Sequence, residues 1–90
     1  MKDLVFTSQF KRDYKKYHRE KWLDSLLDEV FTKVTIGPNE LPIKFRDHAL
    51  KGNYGGCREC HLKPDLLLIY ISTAAEIRLI RLGSHSELFA

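Results

Sequence analysis

Leu66-Leu67-Leu68-Ile69-Tyr70-Ile71 is an unbroken apolar run, preceded by the turn signal Lys63-Pro64-Asp65 and followed by Ser72-Thr73-Ala74-Ala75. A run this short between turns is a strand, and its failure to alternate means that both faces are covered. In a chain of 90 residues that demands a central strand with material packed on each side. A chain of this size buries only about 60–65% of its unfolded surface, so one modest core has to serve the whole domain, residues 1–90.

The neighbouring segments supply the rest of the sheet. Gly56 to Leu62 and Ile77 to Leu82 read as strands on either side of the central run, and short connections favour an antiparallel meander. Leu4-Val5-Phe6 reads as a short first strand. A helix is expected from Ser8, with Phe10, Tyr14 and Tyr17 on its apolar stripe and Lys11, Arg12, Lys15, Lys16 and Arg19 on its other faces. A second helix runs from about Trp22 to Val34, where Trp22, Leu26, Val30 and Val34 repeat beside Leu23, Leu27 and Phe31. Gly37-Pro38-Asn39 ends the helical region. Glu40 to Gly52 has no clean period and reads as an extended link. The expected class is α+β, a small antiparallel sheet packed against two N-terminal helices on one face.

Composition narrows the function classes. The hydrophobic fraction of 43% and charged fraction of 30% are ordinary for a soluble domain, and no apolar run is long enough for a membrane span. The first residues, MKDLVFTSQFKRDYKK, carry charges where a secretory signal needs an apolar block. A cytoplasmic location and free thiols are therefore expected. The net charge of +3 permits a polyanionic partner but does not establish one.

Cys57-Arg58-Glu59-Cys60-His61 matches C-x-x-C-H, the pattern of covalent haem attachment or, without its histidine, of a redox dithiol. Strand alternation opposes both readings. It points Cys57, Glu59 and His61 to one face and Arg58, Cys60 and Leu62 to the other, so the thiols cannot clasp one group or close an ordinary disulfide. No cofactor or metal is expected, and Cys60 reads as a small buried apolar residue. His61 and Glu59 are left sharing a face.

His48, His61 and His85 all lie in the second half of the chain, with Asp65 just beyond one strand and Arg81 near the end of the last. Simple alternation groups Arg81 with Ile77 and Leu79, and Leu82 with Arg78 and Ile80. Histidine, carboxylate and arginine together suit RNA cleavage by the substrate's own 2′-OH. Histidine can take or give a proton near neutrality, arginine presents a planar fork to phosphate oxygens, and an aromatic such as Phe89 can stack on a base. Each residue also has an ordinary reading: Asp65 as a turn former, Arg81 as a solvated strand end, His85 and Phe89 as caps on the core. His18, in a run of helix charges, reads as surface. On these residues alone, an enzyme and a binding module remain equally open.

Three blocks in order, DHALKG, RECHLKPDLLLIY and RLGSHSELF, resemble the YafQ branch of the RelE-like toxins of bacterial toxin–antitoxin systems. The resemblance spans nearly the whole chain and is strongest from Asp47 onward. It implies a RelE-like fold and an endoribonuclease that cuts translated mRNA in the ribosomal A site. The implied partners are mRNA, the 70S ribosome and a cognate antitoxin encoded nearby. Family active-site positions fall on His48, His61, Asp65, Arg81, His85 and Phe89. His85 is then the general acid, Asp65 or His61 takes the 2′ proton, and Arg81 stabilises the phosphorane. Lys11, Lys15, Lys16, Arg19 and Lys51 are candidate RNA-backbone contacts. Two departures stand out: Leu66 occupies a position where some relatives have tryptophan, and Cys57 replaces an aromatic. The alternatives are a ribonuclease that needs no ribosome, a non-enzymatic toxin such as a gyrase inhibitor, and a metal hydrolase using the same histidines.

Overall fold

The computed structural model describes residues 2–17, 20–36 and 41–89; the sequence expectations for His18 and Arg19 lie outside them. The elements run β1 (Asp3–Phe6), α1 (Ser8–Tyr17), α2 (Lys21–Ile36), β2 (His48–Ala49), β3 (Arg58–Lys63), β4 (Leu66–Ser72), β5 (Glu76–Gly83) and α3 (His85–Phe89), with short 3-10 turns at Ile43–Phe45 and Gly52–Tyr54. Thr7 starts α1. Its hydroxyl oxygen accepts from the Phe10 N–H at 3.2 Å, as an N-cap does, and donates to the Leu79 carbonyl at 2.7 Å, tying the helix start to β5. In α2 the buried stripe is Leu23, Leu27, Val30 and Val34. Trp22 falls outside it, exposed, with the Lys63 ammonium 4.9 Å from its ring.

The sheet order is β1-β5-β4-β3-β2. The meander β3-β4-β5 and the β2–β3 pair are antiparallel, whereas β1 runs parallel to β5. No turn joins β1 to β5, so nothing local forces an antiparallel pairing there. β4 explains its own sequence. Leu66, Leu68 and Tyr70 enter a core shared with Phe10, Leu23, Leu27 and Val30 from the two helices. Leu67 and Ile69 enter a second cluster with Cys57 and Leu88, flanked by Leu50, Tyr54, Ile71 and Ile80. The second face is therefore covered by the loop before β3 and by α3. The cysteines are free and buried in these opposite clusters, Cys60 with the helices and Cys57 on the other side, as alternation requires. Burial pushes both thiols up in pKa.

Besides the exposed Trp22 and the parallel β1, three further features depart from the sequence expectation. The link from Glu40 to Gly52 contains β2, only two residues long, and the tail after Gly83 is a helix. More consequentially, β5 carries a bulge. Tyr70 pairs with Leu79 but Ile69 pairs with Arg81, leaving Ile80 as the extra residue. The bulge swaps the faces beyond it: Leu82 joins Leu79 in the helix-side core, and Arg81 moves opposite Ile69. Among the described residues no helix is long and apolar enough to cross a membrane.

Candidate active site

Cross-strand register assembles the site on the face away from the helices. His48 pairs with Glu59, Glu59 with Ile69, and Ile69 with Arg81, which forms one row; His61 pairs with Leu67 and Leu67 with Gly83 in the next. Gly83 then leads into α3. A side-chain carbon added there would meet Glu87 Oε1 at 3.0 Å and Leu88 at 3.3 Å, so the glycine lets α3 fold tightly against the end of β5. Ser84-His85-Ser86-Glu87 forms a reciprocal capping box. The Ser84 hydroxyl accepts from the Glu87 N–H at 3.2 Å and Glu87 Oε1 accepts from the Ser84 N–H at 2.9 Å. Glu87 also accepts from the Tyr17 hydroxyl, which pins α3 to α1. That bond, then the Ser84 N–H, holds the Glu87 carboxyl below its ordinary pKa, while burial and Glu87 raise Tyr17 to about 12.

The result is a chain of rings: His48 to His61 at 6.2 Å between centroids, His61 to His85 at 5.7 Å, His85 to Phe89 at 6.1 Å, and Phe89 edge-on to Tyr54 at 5.5 Å. Each histidine is oriented. His48 Nδ1 donates to the Arg46 carbonyl at 2.8 Å, and His61 Nε2 lies 2.9 Å from Glu59 Oε1. His85 Nδ1 and its backbone N–H both reach Asp65 Oδ1, at 2.9 and 3.0 Å. The backbone bond first, and then the ring, hold the Asp65 carboxyl below its ordinary pKa. The Glu59 side chain is only 4% exposed, and its second oxygen is 3.9 Å from His48 Nε2.

Arg81 is anchored from behind. Its Nε donates to Asp13 Oδ2 at 2.7 Å and its terminal nitrogen to Oδ1 at 3.3 Å, while the Leu82 N–H donates to the same Oδ2 at 3.0 Å. Asp13 is 1% exposed. The hydrogen bonds to Asp13 raise the Arg81 pKa above its usual value.

The six residues expected from sequence thus meet on one face, at the β3–β4 turn that carries Asp65, and on α3 beside them. The expected basic contacts do not gather there as a group. Lys11 and Lys15 line a groove of about 940 Å³ between α1 and α2, with Phe10 and Phe31. Lys16 reaches Glu87 at 3.8 Å, Lys51 is exposed before the Gly52–Tyr54 turn, and Arg19 lies outside the described residues. Sequence reasoning assigned no role to Asp13, Glu59 or Tyr54. A signal for Asp13 was present: it lies three residues after Phe10, on the buried side of α1. Leu66 is 5% exposed in the helix-side core, so its departure from tryptophan alters the core and not this row of rings.

His48, Glu59 and His61 place ligand atoms within 4.8 Å of one another, and two histidines with one glutamate are a donor set that zinc accepts. Asp65 and His85 stand outside that trio. Without a metal, two carboxylate–imidazole pairs and an anchored guanidinium can take a proton, give a proton and neutralise a phosphorane.

A family model described as a bacterial toxin of type II toxin–antitoxin system, YafQ, matches residues 2–90. The mRNA interferase toxin YafQ of Escherichia coli strain K12 is 31% identical over 88 residues, covering 98% of this chain and 96% of that protein. Among solved structures, the E. coli DinJ–YafQ complex superposes with a TM-score of 0.87 at 30% identity, covering both chains completely. A copper-bound mutant toxin from Helicobacter pylori superposes at 0.85 with 44% identity, covering 99% of this chain and 100% of that one. With its fold and nearly its full length shared in this way, the chain belongs to the YafQ family of toxins of bacterial type II toxin–antitoxin systems.

Proposed function

We propose that this toxin, an endoribonuclease of the mRNA interferase class, cleaves mRNA in the ribosomal A site by metal-independent attack of the 2′-OH on the adjacent phosphate. The observation that carries this reading is the pair of carboxylate-backed imidazoles, His61 with Glu59 and His85 with Asp65, whose rings stand 5.7 Å apart on one face. In-line displacement needs one group for the 2′ proton and another for the leaving 5′ oxygen, and two separate imidazoles meet that need.

His61 takes the 2′ proton with Glu59 steadying the imidazolium. Asp65 is the weaker candidate for that step, because its depressed basicity and both its bonds are committed to His85. With Nδ1 turned to Asp65, His85 presents Nε2 to the leaving oxygen. Arg81 faces the phosphorane oxygens with the donors that Asp13 leaves free, and such preorganised charge costs no reorganisation during the reaction. His48 holds the nucleotide from the far side of Glu59. Phe89, 43% exposed, and Tyr54 offer the surface on which a base stacks.

A cognate antitoxin is the expected partner in the cytoplasm, in keeping with the E. coli complex. The reading is tested by giving purified toxin the same message naked and on translating ribosomes. Cleavage confined to the ribosome-bound message, at the A-site codon, is expected. Equal cleavage of naked RNA would favour the ribosome-independent alternative, and no cleavage of either would favour a non-enzymatic toxin.

A further inference from the structure

β2 pairs with β3 only at Arg58 and Glu59, so among the described residues the outer edge of β3 from Cys60 onward has no strand beside it. Against that edge sits a hollow of about 260 Å³ lined by Lys44, Arg46, His61, Leu62, Lys63 and Pro64. Its charged side chains are all cations, and it shares His61 with the site just described. The three cations are not equivalent. Lys44 is paired with Glu29 at 3.1 Å and Lys63 rests over the Trp22 ring, whereas the exposed Arg46 side chain has no partner among the described residues.

Arg46 is also held in an unusual backbone state, φ 49° and ψ 42°, left-handed for a residue with a side chain. That conformation closes the 3-10 turn and accompanies the bond that its carbonyl accepts from His48 Nδ1. Glycine or asparagine would occupy such a position more easily, yet an arginine stands there.

We propose that this hollow is a subsite for an RNA phosphodiester adjacent to the scissile one, with Arg46 as its principal ligand and Lys63 in support. The inference rests on the reading of His61 and His85 as the cleavage centre. Arginine's fork suits a phosphate's oxygens, and contacts of this kind set register on the strand without performing chemistry. A ribosomal RNA phosphate has the same chemistry, so the test must separate the two sources.

The probe is a short RNA made uncleavable by a 2′-deoxy residue at the cut position, with affinity followed by fluorescence anisotropy across a salt series. Arg46→Asn removes the charge while keeping a residue that tolerates the left-handed backbone, and so the carbonyl that holds His48. Arg46→Asn is expected to flatten the slope of log K against log salt by about 0.7, the single-strand value for one phosphate contact, and Arg46→Lys to restore it. Single-turnover cleavage at saturating message should stay within about twofold of the parent, as for loss of uniform binding. Lys63→Gln, read in the same assay, should also flatten the slope and keeps the test open if Arg46→Asn does not fold.

An unchanged slope in both variants, or no salt-dependent binding by the parent, would overturn the subsite. So would a loss seen only in ribosome binding, which would assign the phosphate to ribosomal RNA. A fall in the saturated rate with affinity intact would also overturn it, placing Arg46 behind His48 instead. Failure of the parent to cleave message bears on the proposed function alone, because the binding assay does not use cleavage.

Discussion

Glu59 is a buried carboxylate between two imidazoles, 2.9 Å from His61 and 3.9 Å from His48. It lies against both rings while reaching little solvent, so under the proposed mechanism its effect passes through them. Glu59→Gln keeps the shape and removes the charge, and should lower the single-turnover rate roughly 10–100-fold, as loss of a supporting partner does, with melting temperature read alongside. Asp13 stands behind Arg81 in the same way. Asp13→Asn should slow cleavage in the parent but add little in an Arg81→Ala background, since partners in one network are not additive; full additivity would show that Asp13 acts elsewhere. The Asp65 carboxyl has a lowered pKa, so the sign is that of a depressed acid: its bonds to His85 are intact above the ordinary carboxylate range and are lost as pH falls through the lower folded value. Any limb of the pH–rate profile above about pH 4 therefore belongs to another group, and a limb there that disappeared in Asp65→Asn would contradict this. The trio His48, Glu59 and His61 makes a metal experiment informative too. Stringent chelation should leave cleavage complete, and added Cu²⁺ or Zn²⁺ should inhibit by occupying His61, the imidazole proposed to take the 2′ proton; activity lost to chelator and restored by metal would reverse the mechanism.

At the scale of elements, α3 carries two site residues on only five positions, too few to be stable alone. Its order comes from the capping box, from Leu88 in the second cluster and from the Tyr17–Glu87 hydrogen bond. Tyr17→Phe removes that last tie. It should cost about 1 kcal/mol, a typical hydrogen bond, speed hydrogen exchange at the Leu88 amide and reduce cleavage through poorer placement of His85. Unchanged exchange at Leu88 would show that the tether is dispensable. Because the Glu87 carboxyl is depressed, the tether's contribution is present above its unfolded pKa and is lost as pH falls through the folded value. This element illustrates what the sequence could and could not reveal. The β4 run and the Leu23-Leu27-Val30-Val34 stripe were legible because burial imposes a period on long elements. The Ile80 bulge was not, since one unpaired residue changes no local pattern yet moves Arg81 and Leu82 to opposite faces. β2 is too short to show a period. Ser84-x-x-Glu87, by contrast, is a capping-box pattern that the sequence displays as a helix start.

The whole molecule divides its labour between the faces of one sheet. Helices α1 and α2 bury one face and leave a groove between them, while the opposite face and α3 hold His48, His61, Arg81, His85 and Phe89. His48, His61, Asp65, Arg81, His85 and Phe89 could be named as candidates from residue type and family pattern. Glu59 and Asp13 were not assigned, because their roles depend on register between segments far apart in sequence: Asp13 meets Arg81 across 68 positions. An antitoxin that neutralises this chain by covering the catalytic face should abolish cleavage when co-purified at saturation, and a fully active saturated complex would exclude occlusion. The decisive assay is single-turnover cleavage of A-site mRNA by the parent, Arg81→Ala and His85→Ala, with circular dichroism and antitoxin binding confirming that each variant is folded. Each substitution is expected to cost roughly 10²–10⁴ in rate, and the parent's upstream product to end in a 2′,3′-cyclic or 3′ phosphate. Near-parental cleavage by both folded variants, or an upstream product ending in 3′-OH, would contradict catalysis by these imidazoles and this guanidinium.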